Sequence, residues 1–162
     1  MFAAELLAGA EALIHQCRAR NLRLATAESC TGGLVAALLT AISGSSDVFE
    51  RGFVTYSNRA KQDCLGVEAA ILDQLGAVSA EAAAAMALGV LAHAPVEIAL
   101  SVTGIAGPGG GSPAKPVGLV YFGCAAQGAV TTVEKRFGDI GRHEVRLAAV
   151  AVGLDLLRQA AE

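Results

Sequence analysis

The chain has 162 residues, 54% of them apolar and 17% charged, with a formal net charge of −3. That length supplies one domain with a full core. The apolar excess excludes a disordered chain, and the slightly acidic balance with no Trp and 4% aromatic residues argues against a nucleic-acid binder.

Residues 2–20 predict an amphipathic helix. At 100° per residue Phe2, Leu6, Leu7, Ala10, Leu13, Ile14 and Cys17 fall within an arc of roughly 140°, and Glu5, Glu11, His15, Gln16 and Arg18 lie outside it. A strand over Leu22–Ala27 leads into Glu28-Ser29-Cys30-Thr31-Gly32-Gly33, which opens an apolar helix to about Ile42. Phe49–Ser57 reads as a strand, Asn58–Leu65 as a helix, Ser79–His93 as a helix and Val96–Thr103 as a buried strand. Gly104 through Pro113 is a loop that no regular element tolerates. Val117–Ala126 and Val130–Phe137 are strands of a late hairpin joined at Gln127-Gly128-Ala129, and Arg142–Ala160 is the last helix.

Helices interleaved with strands predict a single α/β domain over residues 1–162: three α/β/α layers around a mixed, mainly parallel sheet. Two helices are apolar on more than one side, since Ala82–Ala92 carries no charge and Leu147–Leu157 only Asp155. Such helices need cover on more than one side, either from the sheet and a neighbouring helix or from a second subunit, and a homodimer is expected. The longest uncharged stretches, Ser29–Ser46 and Pro116–Val133, contain Gly, Ser, Thr or Gln and fall short of the ~18 consecutive apolar residues of a membrane span. The N-terminus lacks the basic region of a secretory signal. Cys17, Cys30, Cys64 and Cys124 form no CxxC pair, so no disulfide framework or zinc site is expected and the chain reads as a reduced cytoplasmic protein.

Chemistry belongs at the two Gly-rich turns, each following a predicted strand, because ligands of open α/β sheets bind beyond the carboxyl ends of strands. Neither turn is a Walker A or dinucleotide motif. Thr31, Gly32 and Gly33 would present backbone N–H groups at a helix start, suited to an oxyanion or phosphate. Ser29 reads either as an N-cap, the usual role of a Ser between a strand and a helix, or as a nucleophile. Cys30 is the stronger intrinsic nucleophile, with a thiol that a helix start would acidify. His15, His93 and His143 are placed on solvated faces, so a base for Ser29 must be sought elsewhere. Lys61, after Tyr56-Ser57-Asn58, could form a Ser–Lys pair. Its ordinary pKa near 10.4 makes burial or nearby positive charge a condition of that role.

Glu28 through Gly33, Tyr56-Ser57-Asn58 with Lys61, Gly76-Ala77-Val78-Ser79, Thr103 through Gly111 and Lys115-Pro116-Val117-Gly118 together resemble the CinA C-terminal domain family. Its enzymatic members are nicotinamide-mononucleotide amidohydrolases. The resemblance implies hydrolysis of nicotinamide mononucleotide to nicotinic acid mononucleotide and ammonia, with Ser29 as nucleophile, Lys61 as base and Tyr56 in the proton-transfer network. Expected oxyanion or substrate contacts are Thr31, Gly32, Gly33, Asn58, Thr103, Gly104, Gly107, Gly109, Gly110 and Arg142. No metal, cofactor, nucleic acid or membrane is implied. Gly138-Asp139-Ile140-Gly141-Arg142 departs from the family's closing Gly-Asp-Arg motif. The phosphate site thus stays open between the Gly104–Gly111 loop, with Lys115 nearby, and Arg142 or Arg146. The resemblance covers the C-terminal domain alone, so neither the N-terminal nucleotide-binding domain of longer relatives nor its pyrophosphatase activity is expected of this sequence. The alternatives are a non-catalytic nucleotide-binding protein and an amidase using Cys30.

Overall fold

The computed structural model describes residues 2–162. The elements run α1 (Ala4–Ala19), β1 (Leu24–Glu28), α2 (Leu34–Thr40), β2 (Phe49–Val54), α3 (Asn58–Leu65), α4 (Ala69–Gln74), α5 (Ala80–His93), β3 (Ile98–Gly104), β4 (Leu119–Ala126), β5 (Ala129–Arg136) and α6 (Arg142–Ala160). The strands form one sheet in the order β2-β1-β3-β4-β5. β1 pairs in parallel with β2 and β3, whereas β3–β4 and β4–β5 are antiparallel, so β4 alone runs against the rest. This is the three-layer α/β fold with a mixed sheet that the element pattern predicts.

Strand periodicity sorts the core into two halves. Leu24, Ile98, Leu100, Val102, Val120 and Phe122 pack with α1, α2 and α6, while Ala25, Ala27, Ala99 and Ala125 face α3, α4 and α5. The second face is built of small residues, which lets α5 lie close on the sheet. A Cβ on Gly123 would sit 2.4 Å from the Ala83 carbonyl oxygen. Ser101 tightens the same contact, donating to the Ala83 carbonyl at 2.6 Å and accepting from the Gly123 N–H at 3.1 Å. Much of the apolar surface of α5 and α6 that predicted a homodimer is therefore covered within the chain. Ala82, Ala83, Met86, Ala87 and Val90 are buried on α5, and Val145, Ala149, Val150, Leu154 and Leu157 on α6.

Two local expectations are corrected. The second helix begins at Leu34, because Gly32 and Gly33 take φ of +58° and +97° and hold a turn in front of it. The short α4 had no separate expectation, having six residues and no side-chain cap. The hairpin loop has two residues, Gln127 and Gly128, both at positive φ, with Ala126 paired to Ala129. Among the described residues, no helix is long and apolar enough to cross a membrane.

The chain leaves β1 to form β2 on one side, then returns through α3, α4 and α5 to place β3 on the other. Successive connections diverge at β1, and a crevice opens beyond the carboxyl ends of β1 and β3. Ser29 follows β1 there, and the Gly-rich loop follows β3.

Candidate active site

Strand pairing fixes the backbone at the end of β1 from both sides. The Thr55 N–H donates to the Glu28 carbonyl and the Ser29 N–H to the Val102 carbonyl, each at 2.9 Å. Side-chain alternation then turns Glu28 toward α2 and Ser29 toward α3. On α3 the Ser57 hydroxyl caps the helix by accepting from the Ala60 N–H at 3.0 Å. One turn further in, Lys61 projects into the protein.

The Lys61 Nζ lies 3.0 Å from the Ser29 Oγ and 2.8 Å from the Thr55 carbonyl oxygen. Lys61 is only 1% exposed, which meets the condition the base role sets. Burial lowers its pKa from the ordinary lysine value, and the nearby Cys30 thiol opposes the shift more weakly. A neutral amine here donates to Thr55 and still has a lone pair to accept the Ser29 hydroxyl proton.

Ser29 and Lys61 open on a cavity of about 260 Å³. Tyr56, Asn58, Thr103, Gly104, Gly107, Gly109 and Arg142 of the expected set also line it. The Thr103 Oγ1 donates to the Ala77 carbonyl at 2.8 Å, tying the end of β3 to the approach to α5. Arg142 spans the mouth, donating to the Gly107 carbonyl and the Tyr56 hydroxyl, both at 2.9 Å. Its partners are neutral, and among the described residues it forms no ion pair.

The expected oxyanion donors need correction. Glu28 bridges from β1 to the first turn of α2, accepting from the Gly33 and Val35 N–H groups at 3.1 and 3.0 Å on one oxygen and from Ala36 at 2.9 Å on the other. The Gly32 N–H donates to the Ser29 carbonyl at 3.0 Å. The amides of Gly32 and Gly33 are thus engaged inside the turn, and Thr31, Gly32, Gly33 and Gly110 lie outside the cavity lining. Among the described residues, the N–H groups of Cys30 and Thr31 donate to no protein acceptor.

Cys30 lines the cavity, but burial pushes its thiol up to about 12. The expected acidification fails because desolvation dominates, and the helix start that would have favoured a thiolate is already satisfied by Glu28. Tyr56 is 60% exposed, and its hydroxyl partner is Arg142 rather than Ser29 or Lys61. Lys115 reaches the Leu75 carbonyl instead of the cavity, and no histidine lines it.

Ala77 and Val78, which had no expected site role, line the cavity, as do Ile105 and Ala106 of the Gly104–Gly111 loop. Sequence reasoning also missed Glu28 and the Thr55 carbonyl. For Glu28 the signal was present: a carboxylate just before a Gly-rich turn and helix start is a natural partner for the first-turn amides.

Comparison with known proteins places this geometry in a family. The CinA C-terminal domain model matches residues 7–161. A protein of Enterobacter agglomerans, "Nicotinamide-nucleotide amidohydrolase PncC", is 52% identical over 139 residues, 85% of this chain and 84% of that protein. A "CinA-like protein" of Synechococcus sp. (strain RCC307) is 51% identical over 150 residues, and the chain spans only 36% of its length. The crystal structure of the competence/damage inducible protein CihA from Agrobacterium tumefaciens superposes with a TM-score of 0.98 at 48% identity, covering 100% of this chain and 99% of that one. A CinA superfamily protein from Escherichia coli gives 0.92 at 34% identity, with 98% and 93% covered. A match over nearly the whole sequence and superposition on solved relatives agree: the chain belongs to the CinA C-terminal domain family.

Proposed function

We propose that residues 1–162 act as a single amidohydrolase domain that converts nicotinamide mononucleotide to nicotinic acid mononucleotide and ammonia through a Ser29 acyl-enzyme. The observation that carries this reading is the 3.0 Å approach of the buried Lys61 amine to the Ser29 hydroxyl at the cavity. The Enterobacter agglomerans relative supports the choice of substrate.

A carboxamide is a poor electrophile, so acyl transfer requires an activated nucleophile and a site for the tetrahedral oxyanion. Neutral Lys61 takes the Ser29 proton as Oγ bonds to the carboxamide carbon. The oxyanion is held by the Cys30 and Thr31 amides, in place of the engaged Gly32 and Gly33. As the C–N bond breaks, the Lys61 ammonium returns its proton to the leaving nitrogen, ammonia departs and an ester remains on Ser29. Lys61 then deprotonates water as the water oxygen bonds to the ester carbon. The same proton passes to the Ser29 Oγ as the C–O bond breaks, and the free acid leaves as the carboxylate, giving its proton to solvent. Arg142 supplies the unpaired positive charge for the substrate phosphate at the mouth, and Tyr56 holds its guanidinium there.

The test is incubation of the purified chain with nicotinamide mononucleotide, following ammonia and trapping an acyl adduct on Ser29 by mass spectrometry. Equal release of ammonia and acid product, with the adduct on Ser29, is expected. Tight nucleotide binding without turnover would make the chain a binding module. An active Ser29→Ala beside an inactive Cys30→Ala would move the nucleophile to Cys30.

A further inference from the structure

Arg146 is a second cation in the first turns of α6, and it is spent on the main chain. Its Nε donates to the Cys30 carbonyl at 3.1 Å and its Nη2 to the Thr31 carbonyl at 2.9 Å. Among the described residues it forms no ion pair. A half-buried guanidinium with no carboxylate, aimed at two consecutive carbonyls directly after Ser29, is a costly arrangement for a structural tie alone.

In a trans peptide the C=O and N–H point in opposite directions. Holding the Cys30 carbonyl toward α6 therefore turns the Thr31 N–H away from α6. Holding the Thr31 carbonyl likewise turns the Gly32 N–H inward onto the Ser29 carbonyl, at 3.0 Å. That bond fixes the Ser29–Cys30 peptide and leaves the Cys30 N–H on its opposite side. Two routes lead from one guanidinium to the two unspent amides beside the nucleophile. A cation on a carbonyl oxygen also draws electron density from its amide and strengthens the N–H as a donor, and linked hydrogen bonds pass this polarisation on.

We infer that Arg146 is a positioning residue that orients and polarises the Cys30 and Thr31 amides as the oxyanion donors of the Ser29 acylation site. The assignment rests on the acyl-enzyme reading above but not on the identity of the substrate. It differs from the role of Arg142, which faces the cavity mouth.

The experiment measures the rate at which a small alkyl fluorophosphonate labels Ser29, alongside kcat and KM for nicotinamide mononucleotide. In labelling, Oγ bonds to phosphorus and fluoride leaves, with the hydroxyl proton taken by Lys61; the phosphoryl oxygen occupies the oxyanion position. Arg146→Met is expected to slow labelling and kcat by about 10²-fold, the scale of losing one oxyanion donor, with KM held within about threefold. Arg146→Lys, which retains the charge and one reach to the carbonyls, is expected to recover about tenfold of that loss. Arg146→Gln keeps a donor without charge and serves if the Met variant does not fold. The acid limb of the labelling rate, set by Lys61, should stay in place while the plateau falls. Unchanged labelling, a rise in KM with labelling intact, or a displaced acid limb would each overturn the assignment. Arg146-dependent labelling in a protein that releases no ammonia from the nucleotide would uphold Arg146 and remove the substrate proposal. No labelling of the wild-type Ser29 would remove both.

Discussion

The Ser29 hydroxyl and the Lys61 amine, 32 positions apart in sequence, stand 3.0 Å from each other, with the amine also bound to the Thr55 carbonyl at 2.8 Å. Their meeting requires β1 to end where α3 begins its second turn. Activity should depend on both groups. Ser29→Ala and Lys61→Met are each expected to lower kcat for ammonia release by about 10⁴-fold or more, and the double variant should be little worse, because the pair acts as a unit. Cys30→Ala, which removes a thiol held up to about 12, should stay within tenfold of wild type.

The pH dependence follows from the direction of the Lys61 shift. Burial lowers its pKa, and in the proposed reaction the base form is the reactive one. A plot of kcat/KM should therefore rise with pH along a limb centred below the ordinary lysine value near 10.4. A limb centred at or above that value would show that the amine is not the base.

The same shift makes a stability prediction with a definite sign. Lys61 binds its proton less readily in the folded chain than in the unfolded one. Between the folded and unfolded pKa values the unfolded state holds more protons, so Lys61's contribution to stability rises with pH across that window. It is fully present only above the unfolded value near 10.4 and is lost as pH falls through the folded one. The Tm of wild type relative to Lys61→Met should thus increase from neutral pH toward pH 10, as followed by circular dichroism melts.

At the cavity mouth, Arg142 donates to Gly107 and Tyr56 and to no carboxylate. Arg142→Met is expected to raise KM for nicotinamide mononucleotide by about 10- to 100-fold, the range of one charge-assisted hydrogen bond. KM for the riboside, which lacks the phosphate, should hardly change. Equal effects on both compounds would place the phosphate elsewhere.

Close packing of α5 on the sheet predicts an intolerant glycine. A methyl at Gly123 would lie 2.4 Å from the Ala83 carbonyl oxygen and 2.7 Å from the Ser101 Oγ. Gly123→Ala should cost about 1–3 kcal/mol by overpacking. At roughly 2–4 °C per kcal/mol for a chain of this size, the loss is readable as a lower Tm.

Composition, periodicity and local punctuation were sufficient for the layers and most elements. α3 and α6 are legible over the spans Asn58–Leu65 and Arg142–Ala160 that the sequence predicts, because helix preferences act within a turn or two of the residues that carry them. The order of motifs carried the family, and with it the pairing of Ser29 and Lys61. Tertiary structure decided what long-range contacts control. It set how deeply Lys61 is buried, and it brought Arg142 to Tyr56 and Arg146 to the Cys30 and Thr31 carbonyls across more than 80 positions of chain. The physical reason is one of range. Helix and strand preferences are settled by neighbours a few residues away, whereas desolvation of an amine and the direction of a peptide dipole depend on which distant segments the fold packs against them.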